Sequence, residues 1–154
     1  MEDAAATPKP AAHTGLRQSL KENITNSDVK IAIVDDSDFS RQALAQILQA
    51  EGFTVVASVK SASAALVQLE ANPCHICLID VVMAEMSGLD LAKHVHDTFS
   101  DVQIIMMSSL RTDAMVIDSI ATGALDYLQK PFTKEDLLKS IYAAIDNLQK
   151  QSFR

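Results

Sequence analysis

The chain has 154 residues, room for one compact domain and a short tail but not for a multidomain enzyme. Hydrophobic residues make up 48% and charged residues 21%, which excludes a largely disordered chain. Asp+Glu 20 against Lys+Arg 13 gives a net charge of -7, the wrong sign for counterion-release binding to nucleic acid or to anionic lipid.

No apolar run approaches the roughly 18 residues that span a bilayer, and no basic segment leads an apolar stretch at the N-terminus. The expectation is a soluble, cytoplasmic protein with no membrane insertion and no nucleic-acid partner. The two cysteines are too few for a disulfide framework, in keeping with a reducing compartment.

Residues 1–28 read as a flexible tail. Met1 to His13 is Ala/Pro-rich without an apolar period, whereas Leu16, Leu20 and Ile24 recur every four residues. That spacing predicts a short helix over 14–24 with a narrow stripe suited to docking on the domain or on a partner. The folded domain is expected over 29–150, with 151–154 as a C-terminal tail.

From Lys30 onward, short apolar runs alternate with helical patterns. Strands are expected at 30–35, 54–59, 75–80, 102–107 and 124–128. Between the first two, Phe39, Ala43, Ile47 and Leu48 fall on one helical face. Further helices are expected at 61–70, 88–98 and 112–121. The last helix opens with a capping-box spacing, Thr133 to Asp136, and carries Leu137, Ile141, Ala144, Ile145 and Leu148 on one face.

Strands joined each time by a helix run parallel, and near-continuously apolar strands fit a sheet buried on both faces. The fold class is therefore α/β, a doubly wound five-stranded parallel sheet with five flanking helices. In such a sheet ligands bind beyond the carboxyl ends of the strands. Those ends carry Asp35-Asp36-Ser37-Asp38 after the first strand, Asp80 at the end of the third, Ser108-Ser109 after the fourth and Lys130-Pro131 after the fifth.

Carboxylates gathered at one sheet end repel, each pair by about 4 kcal/mol at roughly 4 Å and an effective dielectric near 20. A hard divalent cation offsets that repulsion, and Mg2+ takes one or two carboxylates together with waters and phosphate oxygens. A carboxylate beside such an ion, with a lysine and a hydroxyl ready to receive an anionic group, can become an aspartyl-phosphate. An Asp-Asp pair alone is more often a turn or helix N-cap; the joint placement of the four strand ends carries the metal reading.

Ile33-Val-Asp-Asp36, Leu78-Ile-Asp80, Met107-Ser-Ser109 and Tyr127-Leu-Gln-Lys130-Pro131-Phe132, in this order and at compatible spacings, resemble the receiver domain of two-component response regulators. The resemblance covers about 30–150 and implies a flavodoxin-like 2-1-3-4-5 strand order, as in the stand-alone chemotaxis receivers. It implies Asp80 as phospho-acceptor, Asp36 as a direct Mg2+ ligand, Asp35 acting through a bound water, and Val82 offering its backbone carbonyl. Lys130 would pair with the phosphoryl oxygens. Ser108 would hydrogen-bond one of them and draw its loop inward, and Tyr127 would report that switch at the surface. A cis Lys130-Pro131 bond is also implied.

Two departures stand out. Ala84 occupies a position where relatives commonly have proline, and Val82 and Leu110 flank the acceptor where relatives often carry polar side chains that orient the hydrolytic water. Slow autodephosphorylation is the expectation. Cys74-His-Ile-Cys77 resembles half of a zinc or redox motif, but no second ligand pair exists. Residues three apart at a strand entrance should face opposite sides, which favours Cys77 as a small buried hydrophobe. His94 and His96, two apart on a helix, are expected at the surface without a shared face.

A haloacid-dehalogenase-type phosphatase would want a second acid at Val82, and a flavin-mononucleotide binder would want a phosphate-cradling loop where Asp35-Asp36-Ser37-Asp38 repels phosphate. The resemblance instead implies a single-domain response regulator that is no enzyme beyond its own phosphorylation and dephosphorylation. A histidine kinase or histidine phosphotransfer protein would phosphorylate it. With the last helix consuming the chain to about 149 and no output domain after Arg154, signalling is expected to be protein–protein. The expected surface is the fourth helix, fifth strand and fifth helix, with a phosphorylation-dependent dimer as a further possibility. The alternative is a receiver fold used as a phosphorylation-independent interaction module.

Overall fold

In the computed structural model, residues 24–152 are described. A single 3-10 turn, Asn26–Asp28, leads into five strands and five helices in strict alternation: β1 (Lys30–Val34), α1 (Asp38–Ala50), β2 (Thr54–Val59), α2 (Ala62–Ala71), β3 (Ile76–Asp80), α3 (Gly88–Thr98), β4 (Gln103–Ser108), α4 (Asp113–Ala121), β5 (Asp126–Gln129) and α5 (Lys134–Ser152). All neighbouring strands are parallel, in the order β2-β1-β3-β4-β5. This is the doubly wound fold class and order expected from the sequence.

Side chains alternate across the sheet because successive residues of a strand point to opposite faces. Ile31, Ile33, Ile76, Leu78, Ile105, Met107 and Leu128 face α1 and α5, meeting Leu44, Leu48, Leu137, Ile141, Ala144, Ile145 and Leu148. Ala32, Val34, Cys77, Ile79, Ile104, Met106 and Tyr127 face α2 and α3, meeting Ala65, Leu69, Leu91 and Val95. Ser37, Ser61, Ser87 and Thr112 cap α1 to α4 by accepting a backbone N–H of the first turn. Thr133 and Asp136 form the expected reciprocal cap of α5, with Asp136 N donating to Thr133 Oγ1 at 3.0 Å and Thr133 N to Asp136 Oδ2 at 3.5 Å.

Several boundaries shift. β5 begins at Asp126, two residues later than expected, because Gly123 turns the chain at φ 104 and the Ala124 N–H is spent on the Ser119 carbonyl. β4 runs one residue further, which makes Ser108 its last member. α5 continues to Ser152, past the expected domain end at 150, and the 3-10 turn precedes the expected start at 29. Of the helical stripe expected over 14–24, only Ile24 lies within the described residues, half-buried against the α1/α5 core.

The face of α1 needs correction. Leu44 and Leu48 are its core residues and Ile47 packs partly buried against the same cluster, whereas Phe39 is 82% exposed and lies off that face. Periodicity groups residues on a helix without saying which of two adjacent stripes meets the sheet.

The cysteines need correction too. Cys74 and Cys77 lie in the same core cluster, because Cys74 sits in the loop before β3 where strand alternation does not apply. Both are free and buried; burial pushes the Cys74 thiol well up and the Cys77 thiol to about 12, so neither is reactive. His94 and His96 are exposed on α3, as expected.

Candidate functional site

The site forms where β1, β3, β4 and β5 end together. Parallel pairing of β1 with both β2 and β3 delivers the residues after Val34 beside the end of β3, and Asp35 N–H continues the ladder by donating to the Val59 carbonyl at 3.0 Å. The Asp35 side chain is fully buried. Its Oδ1 accepts from Ser37 N–H at 2.9 Å, and its Oδ2 pairs with Lys130 Nζ at 2.6 Å. Asp36, next in the chain, is exposed.

Asp80 ends β3 opposite Met107 of β4, so Ser108 stands one residue beyond it on the neighbouring strand. Its Oδ1 accepts from Val82 N–H at 3.3 Å and its Oδ2 lies 3.4 Å from Lys130 Nζ. Lys130 follows β5, held by its own N–H on the Ser108 carbonyl at 2.7 Å, and the Lys130-Pro131 bond is cis as expected. One ammonium thus bridges two carboxylates.

Asp35, Asp36 and Asp80 each offer a carboxylate oxygen, all within 4.8 Å of one another. Burial raises the Asp80 carboxyl to about 6, opposed by the Lys130 charge and assisted by the Asp35 charge. Three acidic oxygens against one ammonium leave an excess of negative charge in a half-dry pocket. A set of hard oxygen donors at this spacing, short of positive charge, fits Mg2+.

Ser108 is buried and its Oγ accepts from Leu110 N–H at 3.1 Å. Tyr127 is 5% exposed, buried among the α2/α3-side core and not displayed at the surface as expected. Its hydroxyl donates to the Leu110 carbonyl and lies 3.7 Å from Met115 Sδ. The inward pose follows from strand alternation: Leu128 takes the α1/α5 side and Tyr127 the other. Val82 and Leu110, in the loops after β3 and β4, are 53% and 52% exposed.

Three contributors are absent from the sequence reading. Arg41 Nη1 donates to the Asp35 carbonyl at 2.7 Å while its other nitrogen pairs with Asp38, bracing the acidic loop. Ser40 Oγ lies 3.5 Å from Lys130 Nζ. At Gly88 a Cβ would fall 1.9 Å from the Asp80 carbonyl oxygen, so the head of α3 packs directly on the Asp80 backbone, and Gly88 N–H donates to the Val81 carbonyl at 2.7 Å. The only sequence signal for Gly88 is a glycine at a helix start, where a side chain is ordinarily tolerated.

The model of the response regulator receiver domain matches residues 31–142. The chain is 34% identical over 112 residues to the chemotaxis protein CheY of Bacillus subtilis, covering 73% of this chain and 93% of that protein. It is 32% identical over 137 residues to the response regulator protein TodT of Pseudomonas putida, covering 89% of this chain but 58% of that longer protein. Among solved structures, the CheX-CheY-BeF3-Mg2+ complex from Borrelia burgdorferi aligns with a TM-score of 0.72 at 25% identity, over 75% of this chain and 87% of that one.

The chain belongs to the response regulator receiver domain family of two-component systems, and its likeness is to CheY. Receiver domains are signalling domains that bind Mg2+ in an acidic pocket, and CheY-like members interact with histidine kinases and with target proteins such as CheX. Among the described residues, no helix is long and apolar enough to cross a membrane.

Proposed function

We propose that this receiver accepts a phosphoryl group on Asp80 from a histidine kinase or histidine phosphotransfer protein and signals in the cytoplasm through phosphorylation-dependent protein–protein contact. The observation that carries it is the Lys130 ammonium, 2.6 Å from Asp35 and 3.4 Å from Asp80, beside a third carboxylate. Asp36, Asp80 and the Val82 carbonyl would hold Mg2+, with Asp35 acting through a bound water. The ion supplies positive charge against the carboxylates and the incoming phosphoryl oxygens.

An Asp80 carboxylate oxygen forms the new bond to phosphorus while the bond from phosphorus to the donor imidazole nitrogen breaks, and the imidazole leaves with that electron pair. Lys130 pairs with the transferred oxygens. Ser108 turns its hydroxyl from Leu110 N–H to one of them, and the loop from Ser108 to Leu110 carries the change to Tyr127 and the α4–β5–α5 surface. A target, or a second copy in a phosphorylation-dependent dimer, binds there. The chain has no catalytic activity beyond its own phosphorylation and dephosphorylation.

Incubation with acetyl phosphate and Mg2+ followed by intact-protein mass is the test. A one-phosphoryl gain that needs Mg2+ and disappears in Asp80→Asn is expected. No gain with acetyl phosphate or with histidine donors would favour a phosphorylation-independent interaction module. Val82 and Leu110 place no polar side chain beside the acceptor, so phospho-Asp80 should be long-lived. A lifetime of seconds, unchanged by Val82→Asn, would contradict that.

A further inference from the structure

The stretch between Asp80 and Gly88 contains Val82 and is hydrogen-bonded at its two ends. Val82 N–H donates to Asp80 Oδ1 at 3.3 Å, Gly88 N–H donates to the Val81 carbonyl at 2.7 Å, and Ser87 Oγ accepts from Leu89 N–H at 3.1 Å. Between Val82 and Ser87, Met83 is half-buried against the α2/α3-side core, whereas Ala84, Glu85 and Met86 are exposed. No proline stands between Asp80 and Gly88 to fix the backbone there.

Glu85 supplies a hold in the middle. Its Oε1 accepts from Ser63 N–H at 3.2 Å and its Oε2 from Ser63 Oγ at 3.3 Å, so both carboxylate oxygens close on one residue of α2. Ser63 is the second residue of that helix, where the first-turn N–H groups have no partner within the helix. Ser61 Oγ takes the Ala64 N–H at 3.2 Å and Glu85 takes the Ser63 N–H, its charge matching the positive end of the helix. Ala62, Ala65 and Leu69 anchor α2 in the core. The loop is thereby tied to a fixed element 22 residues away in sequence.

We propose that Glu85 is a positioning residue for Mg2+: by clasping the first turn of α2 it holds the β3–α3 loop so that the Val82 carbonyl is in place when the ion arrives. This rests on the reading of Asp36, Asp80 and Val82 as the metal set. Glu85 is not one of the carboxylates that converge at the pocket, so it acts through the loop. A loop ordered in advance spares the ion the cost of ordering it, so loss of the clasp weakens Mg2+ affinity and leaves the chemistry of the loaded site unchanged.

The full chain is compared as wild type, Glu85→Ala, Glu85→Gln, Ser63→Ala and the double variant Glu85→Ala/Ser63→Ala. In chelator, amides 82–86 should exchange about threefold or more faster in Glu85→Ala, with Glu85→Gln, which keeps an acceptor for Ser63 N–H, closer to wild type. An NMR titration with Mg2+ at about 1 M salt, where the loss of a distant charge is screened, should show affinity about threefold weaker in Glu85→Ala and no further weakening in the double variant. The Mg2+ concentration giving half-maximal phosphorylation by acetyl phosphate should rise by the same factor, while the rate at saturating Mg2+ stays at the wild-type value. A wild type that takes up neither Mg2+ nor a phosphoryl group overturns the proposal together with the metal reading. A wild type that takes up both, with Glu85→Ala unchanged in Mg2+ affinity, weakened only at low salt, or additive with Ser63→Ala, overturns the role of Glu85 alone.

Discussion

Ser108 and Tyr127 grip the same residue from two sides: the Leu110 N–H donates to Ser108 Oγ at 3.1 Å, and the Leu110 carbonyl accepts from the Tyr127 hydroxyl. Ser108 ends β4 beside Asp80 and Tyr127 sits on β5 in the core of the opposite face, so a single residue joins the acidic pocket to the α4–β5 side. A serine that turns its hydroxyl toward a phosphoryl oxygen releases one of the two holds on that residue.

Removing the other hold should therefore loosen the loop without touching Asp80. Tyr127→Phe deletes one buried hydrogen bond and should cost about 1 kcal/mol of stability in urea denaturation. Amide exchange at 109–112 should speed up, while the rate of Asp80 phosphorylation by acetyl phosphate stays within about twofold of wild type. Unchanged exchange in that loop would show that the tyrosine does not restrain it.

Asp80 sets a pH dependence of unusual sign. Its folded carboxyl titrates at about 6, raised by burial above the roughly 3.9 of an unfolded chain. A raised folded value means the contribution to stability is fully present below about pH 4 and is lost as pH rises through about 6. In chelator, Asp80→Asn should thus be more stable than wild type at neutral pH, by up to about 3 kcal/mol relative to the difference at low pH. The advantage should grow from about pH 4 to about pH 6, level off by about pH 7, and shrink when Mg2+ is added. An advantage independent of pH would mean the acid is not strained by burial.

Gly88 allows no side chain. A Cβ 1.9 Å from the Asp80 carbonyl oxygen forces the head of α3 away from the end of β3. Gly88→Ala should cost roughly 1–3 kcal/mol and weaken Mg2+ binding through displacement of Asp80. Chemical denaturation in chelator and a Mg2+ titration check the two effects separately. A variant as stable as wild type with unchanged affinity would show that α3 shifts freely.

The acidic pocket was legible because topology does most of the work. Once five apolar strands alternate with helices, the sheet is parallel and its carboxyl ends gather at one edge; the strand order that the receiver resemblance implies then puts the ends of β1 and β3 side by side, so that Asp35, Asp36 and Asp80 meet near Lys130. Gly88 was not legible, because its requirement comes from a backbone approach between residues eight apart that no period encodes. Phe39 was misplaced because periodicity leaves the rotation of α1 about its axis open by one stripe. Tyr127 was placed on the correct face by alternation, but its burial depends on the α4 residue Met115 and the Leu110 carbonyl reaching over it.

The most direct test of Asp80 as acceptor is chemical trapping. Protein phosphorylated with acetyl phosphate and Mg2+ is treated with borohydride, whose hydride reduces an acyl phosphate to the alcohol with loss of phosphate, and peptides are sequenced by mass spectrometry. Homoserine at position 80, dependent on Mg2+, is the predicted result. Homoserine at another aspartate, or a phosphoryl gain that persists in Asp80→Asn, would contradict the assignment.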